Sequence, residues 1–298
     1  MTDQERWRPV SVAEAGRAAP PALDFCLPNL LAGGVGIVAA AAGIGKTSLL
    51  LQLGAAVAAG VAVAGDLLAV PQTTGRVVFL GTEDPPAIMQ RRAHFLARAF
   101  EARGAGAEAI ARLERNLVLY DVSASAPVVL MKEALGNSGL KRLEVLAKES
   151  RLLILDPIRS FHYCDEQDYG RMAMLFNLLN HIGINTGCAI LFSHHVVQPA
   201  TDAALDEPAG AQGSYPFVNA TRWVLNLTGM PRAEAERLGI AADDRRNYVR
   251  ASFTKSNYGP PIPARWLRRS KQFEGIFETC VPGDATSAGA TQKGKPRQ

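Results

Sequence analysis

The stretch Gly36–Ala59 reads GIVAAAAGIGKTSLLLQLGAAVAA, and its middle decides the fold. Ala40-Ala41-Ala42-Gly43-Ile44-Gly45-Lys46-Thr47 fits the phosphate-binding loop G-x-x-x-x-G-K-[ST], with Ala40 where the first glycine usually stands. The apolar run Gly36–Ala40 predicts a short buried strand before the loop, and Lys46–Ala59 predicts a helix after it. Gly43 and Gly45 let backbone N–H groups approach phosphate oxygens with no Cβ in the way. The helix N-terminus adds partial positive charge at the same point. In such a loop Lys46 meets the β- and γ-phosphates and the Thr47 hydroxyl ligates Mg²⁺. Ala42, Gly43, Ile44, Gly45 and Ser48 complete the expected nucleotide cradle. Alanine at position 40 is compatible with the loop as long as its φ is negative.

Outward from the loop, strands alternate with helices. Arg76–Gly81 reads as a second strand, and Asp84 before Pro85-Pro86 is placed to cap a helix running toward Arg103. Asn116–Tyr120, Leu152–Leu155 and Ala189–Phe192 are further strands, with helical segments at Leu140–Glu149 and Met172–Ile184. This rhythm predicts an α/β fold, a mainly parallel sheet flanked by helices. After Val197 it stops at a Gly/Pro/Ala-rich polar loop, Gln198–Ser214. Beyond that, Asn247–Thr254, Ala264–Arg269 and Phe273–Thr279 read as strands, the last two forming a C-terminal antiparallel hairpin. The expected organisation is a flexible N-terminal arm over 1–20, one folded domain over 21–280 and a disordered tail over 281–298.

Composition narrows the classes. A chain of 298 residues with 48% hydrophobic and 20% charged residues is neither disordered nor fibrous. Its four cysteines, Cys26, Cys164, Cys188 and Cys280, lie too far apart for a zinc site or a disulfide framework and suit a reducing cytoplasm. The uncharged Ala/Gly runs on either side of Lys46 read as buried core rather than a membrane span, because their insertion energy is weak. The net charge of +4 is uneven: residues 245–271 carry eight basic residues and no acid, the asymmetry of a chain that meets a polyanion. The alternative is a solvated strand pair whose acids are distant in sequence and near in space.

Three further positions carry chemistry. Asp156 ends the buried strand Leu152–Leu155 at the edge where parallel sheets bind ligands, as an acid that holds the metal's water shell. Glu83 follows the Arg76–Gly81 strand at the same edge and is the candidate base for an attacking water. In Ser193-His194-His195, adjacent histidines on an extended segment point oppositely, so at most one faces a nucleotide.

Read in order, the motifs form a longer pattern. It comprises Pro21-Ala22-Leu23-Asp24-Phe25, Leu27-Pro28-Asn29, Gly43–Thr47, Glu83-Asp84-Pro85-Pro86, Leu155–His162 and Thr186-Gly187-Cys188. It continues with His194-His195, Arg222-Trp223, Lys255-Ser256-Asn257-Tyr258-Gly259 and Arg265-Trp266-Leu267-Arg268-Arg269. Across roughly residues 20–270 it resembles the RecA-type ATPase core of the plasmid replicative helicase family RepA, a ring-forming hexamer. The resemblance implies ATP hydrolysis with Mg²⁺ at the interfaces of a homo-hexameric ring, single-stranded or forked DNA as partner, and a replication initiator or primase alongside. It implies Glu83 as catalytic carboxylate, His195 as γ-phosphate sensor and Arg222 as an arginine finger reaching the neighbouring subunit's nucleotide, with Lys255 approaching the same nucleotide. Between His195 and Arg222 the chain has no lysine or arginine, so the DNA-contacting residues stay open. Other readings are a RecA-type single-strand-binding ATPase of recombination or repair, and an ATP-switched regulatory protein.

Overall fold

A computed structural model describes residues 9–122, 138–166, 168–196 and 220–283. The first eight residues, the loop Gln198–Ser214 and the tail beyond residue 283 lie outside the described residues. In chain order the elements are α1 (Val12–Ala15), β1 (Phe25–Leu27), β2 (Leu30–Leu31), β3 (Val35–Ala40), α2 (Lys46–Ala59), β4 (Val77–Gly81), α3 (Pro86–Ala102), α4 (Ala107–Asn116) and β5 (Leu117–Asp121). They continue with α5 (Ser138–Lys148), β6 (Leu152–Asp156), α6 (Tyr169–Thr186), β7 (Ala189–His195), β8 (Trp223–Gly229), α7 (Arg232–Arg237), β9 (Tyr248–Ser256), β10 (Arg265–Arg269) and β11 (Phe277–Cys280).

Nine strands form one sheet in the order β11-β10-β9-β8-β3-β7-β6-β4-β5. From β8 to β5 every pairing is parallel; from β8 through β11 every pairing is antiparallel. Alternate residues divide the parallel strands between two cores. Val38, Phe79, Ile154 and Leu191 pack with α2, α3 and α4, whereas Ile37, Leu80, Leu155 and Phe192 pack with α5 and α6. Helix α2 is buried on nearly every face, which explains its apolar, small-residue sequence. No helix among the described residues is long and apolar enough to cross a membrane.

The expected strand–loop–helix around Lys46 is present, as is the antiparallel C-terminal hairpin. Four details differ from the sequence reading. Asp84 does not cap α3: Pro85 occupies the N-cap position, and the Asp84 carboxylate pairs with Arg92 at 2.7 Å. The final strand begins at Phe277, since Ser270 Oγ accepts from the N–H groups of Gln272 and Phe273 and turns the chain there. Helix α4 escapes sequence reading because it buries only Ala109 and Leu113, and Asn116, expected in a strand, is its last residue. Strand β8 escapes because Asn226 and Thr228 interrupt its apolar run, although it is buried throughout and pairs directly with β3.

The basic span has partners near in space. Arg268 pairs with Asp244 at 2.8 Å, Arg265 with Asp66 at 3.8 Å, and Arg245 donates to the Met230 carbonyl at 2.6 Å. The expectation of a free basic face is corrected accordingly: antiparallel pairing folds this span back onto the body, where distant acids reach it.

Candidate functional site

Register alone gathers the site. Ala40 of β3 is level with His195 of β7, and Gly81 of β4 is level with Asp156 of β6, so four strand ends meet at one edge of the sheet. Ala40 lies in the extended strand and is not among the residues with positive φ, which is why alanine serves at that position. Past it, Gly43 at φ 76° and Gly45 at φ 109° make the left-handed turns that glycine tolerates. Open space surrounds the position where a Gly43 Cβ would stand, and Ala42 and Gly43 are exposed at the mouth of the loop.

Lys46 is buried, and its Nζ donates to the Ala40 and Ala41 carbonyls at 2.9 and 3.0 Å. Burial holds its ammonium below the ordinary lysine value, and the charges of Asp156 and Glu83 work against that shift. His195 Nδ1 lies 3.1 Å from the same Nζ, and His195 Nε2 lies 3.9 Å from Glu83 Oε1. Both Glu83 and His195 remain open to solvent, with side chains 60% and 43% exposed. Asp156 is buried, and burial raises its carboxyl above the usual carboxylate range. Hydrogen bonds from the Ser193 and Thr47 hydroxyls favour the ionised form. Ser48 is buried one residue further into α2.

Strand parity explains the division between the two histidines. Ser193 and His195 share the face of β7 that meets α2 and Lys46, and His194 points to the other side. There it is buried, and its pKa is pushed down to about 4, first by burial and then by the charges of His195, His162 and Lys46. Ser193 as the hydroxyl partner of Asp156 was not legible in the sequence; its pairing follows from the β6–β7 register.

The residues present fit a magnesium nucleotide. Thr47 and Asp156 bring a hydroxyl and a carboxylate together, the hard oxygen donors that magnesium prefers. No cluster of three His, Cys, Asp or Glu side chains suited to a metal occurs among the described residues. A metal at Thr47 and Asp156 therefore needs phosphate oxygens and water to complete its shell, as magnesium usually does.

Arg222 and Lys255 lie elsewhere. Trp223 is level with Gly36, at the start of β3, so Arg222 stands at the opposite edge of the sheet, about 16 Å of strand from the loop. Lys255 pairs in register with Val224, and the Arg222 charge, after burial, lowers its pKa. The two cations are thus near each other and far from the phosphate loop of their own chain. Around them several of the sequence motifs meet. Trp223 Nε1 donates to the Pro28 carbonyl at 3.0 Å, and Asn29 Nδ2 donates to Ser256 Oγ at 2.7 Å. A cleft opens beside them, lined by Leu31, Phe176, Ile184, Arg222 and Tyr258.

A further residue reaches the loop from the C-terminal hairpin. Arg269 Nη2 donates to the carbonyls of Gly43 and Ile44 at 3.0 and 2.7 Å.

Residues 2–200 match the family described as AAA domain. Among solved structures, the fold is similar to the RadB recombinase, with a TM-score of 0.51 and 15% identity over 85% of this chain and 93% of that one. It is also similar to the ATPase domain of a helicase, with a TM-score of 0.55 and 12% identity over 83% of this chain and 85% of that one. The expected RecA-like architecture is therefore the observed one.

Proposed function

The chain belongs to the AAA-domain family, and from that premise we propose that it is an ATP hydrolase whose turnover drives a ring-forming DNA helicase of plasmid replication in the cytoplasm. The supporting observation is the meeting of Lys46, Thr47, Asp156, Glu83 and His195 at one sheet edge. Lys46 and the loop amides bind the phosphates, and Thr47 and Asp156 hold Mg²⁺, which neutralises charge developing on the phosphate oxygens. Glu83 accepts a proton from water as its oxygen attacks the γ-phosphorus; the bond to the bridging oxygen breaks and ADP leaves. His195, set between Lys46 and Glu83, senses the γ-phosphate.

Arg222 and Lys255 act in this reading on the nucleotide of the next subunit of a homo-hexamer, since neither reaches its own. The partner strand is single-stranded or forked DNA. In its favour, Tyr163 and Tyr169, 62% and 63% exposed, flank the loop that leaves the Asp156 end of β6, with Arg159 and Arg171 nearby in the chain. Exposed aromatics interleaved with arginines suit stacked bases and phosphates. A replication initiator or primase is the expected protein partner.

The deciding experiment measures ATP turnover and displacement of a strand from a forked duplex, with oligomer size alongside. Both activities in a hexamer support the proposal. The likeness to the RadB recombinase favours a second reading, a single-strand-binding ATPase. DNA-stimulated turnover without strand displacement at low salt replaces the helicase reading with that one.

A further inference from the structure

Arg269 comes from β10, in the part of the sequence read as a basic surface, yet its guanidinium is turned inward onto the phosphate loop. Its Nη2 bonds two successive carbonyls, Gly43 at 3.0 Å and Ile44 at 2.7 Å. In a trans peptide the carbonyl and the next residue's N–H point in opposite directions. Holding the carbonyls of Gly43 and Ile44 on the Arg269 side therefore directs the N–H groups of Ile44 and Gly45 to the other side, toward the mouth of the loop.

The same corner is built around the guanidinium. It lies over the Phe277 ring, 5.0 Å from the centroid, and burial lowers its pKa from the ordinary arginine value. A Cβ on Gly45 would come within 2.7 Å of the Phe277 ring and 3.2 Å of Arg269 Nη1, so the turn packs directly against both side chains. Phe277 is fixed in turn by Gln52 of α2, whose Nε2 donates to the Phe277 carbonyl at 3.0 Å while its Oε1 accepts from the Phe277 N–H at 2.8 Å. The hairpin is thus tied to the helix of the phosphate loop by two bonds and to the loop itself by two more.

We propose that Arg269 is a positioning residue for nucleotide binding, which sets the loop amides in their phosphate-binding orientation before the nucleotide arrives. The inference rests on the ATP-binding reading above. It predicts that Arg269 acts on the phosphates held by the loop in ATP and ADP alike, and little on the chemical step.

The test uses the full chain and fluorescent analogues of ATP and ADP, followed by steady-state ATP turnover. For Arg269→Ala the dissociation constants for both nucleotides rise about tenfold in parallel. KM rises likewise, kcat stays within about threefold, and the nucleotide-free melting temperature moves little. Arg269→Lys keeps the charge without the planar fork and recovers part of the affinity; it also serves where the alanine variant fails to fold. Unchanged dissociation constants in either folded variant, or a fall in kcat at constant KM, overturns the inference. If the unaltered chain binds neither nucleotide, the ATP-binding reading falls and the inference falls with it.

Discussion

Lys46 illustrates how one side chain's role follows from its surroundings. A buried ammonium is costly, and this one is held by two strand-end carbonyls with Asp156 and Glu83 opposing its loss of charge. Lys46→Ala is expected to weaken ATP binding at least 100-fold, whereas Glu83→Gln leaves it within about threefold and lowers kcat about 10²–10⁴-fold, the range for a lost general base. Equilibrium binding and single-turnover hydrolysis separate the two; equal losses of binding in both variants would refute the assignment of Glu83. The buried histidines set a pH dependence. His162 and His194 have pKa values lowered to about 4, mainly by burial, with Arg159 adding to the shift of His162 and His195, His162 and Lys46 to that of His194. The unfolded chain takes up these protons near pH 6.5 and the folded chain only near 4. Stability is therefore complete above about 6.5 and declines as the pH falls between those values. At pH 5 the loss is about 2 kcal/mol per histidine. Asp156, raised by burial, contributes with the opposite sign. Urea midpoints at pH 7.5 and 5.0 should differ less for His194→Asn than for the unaltered chain; an equal difference would show that His194 does not carry the effect.

At the scale of elements, the phosphate loop was legible because one local string encodes strand, turn and helix together. The contribution of the C-terminal hairpin was not. Gln52 looks like a lone polar residue in an apolar helix, and its partner Phe277 lies 225 residues away. Gln52→Leu leaves the Phe277 N–H without its buried acceptor and removes one donor from the Phe277 carbonyl, which keeps a bond from Arg103 at 3.2 Å. A loss of about 3 kcal/mol follows from leaving such groups unpaired. Thermal unfolding measures it: a drop of several degrees is expected, and an unchanged midpoint would mean that the hairpin is not anchored through this pair. The Asp84 correction teaches the same lesson. An acid before two prolines resembles a cap, but Arg92 lies close enough to draw the carboxylate into an ion pair.

For the whole molecule, sheet topology is the main fact. Because β8 runs parallel beside β3, Arg222 is carried to the edge opposite the phosphate loop, and only another copy of the chain can bring such a residue to that loop. Arg222→Ala and Glu83→Gln chains, each inactive alone, should regain turnover when mixed. In an equal mixture of a closed ring, about a quarter of the interfaces combine an intact Glu83 with an intact Arg222. A mixture with no more turnover than its parents would remove Arg222 from the neighbouring site.

The sequence by itself determined the loop, its flanking strand and helix, and the positions of Asp156, Glu83 and His195 at strand ends, because those signals are local in the chain. Tertiary structure decided the rest. Strand register paired Ser193 with Asp156 and separated His194 from His195; antiparallel return of the C-terminal strands turned Arg269 inward and matched Arg265 and Arg268 with distant acids. The physical reason is common to these cases. Hydrogen bonds and ion pairs depend on distance in space, and a sheet brings together residues whose separation along the chain carries no trace of the contact.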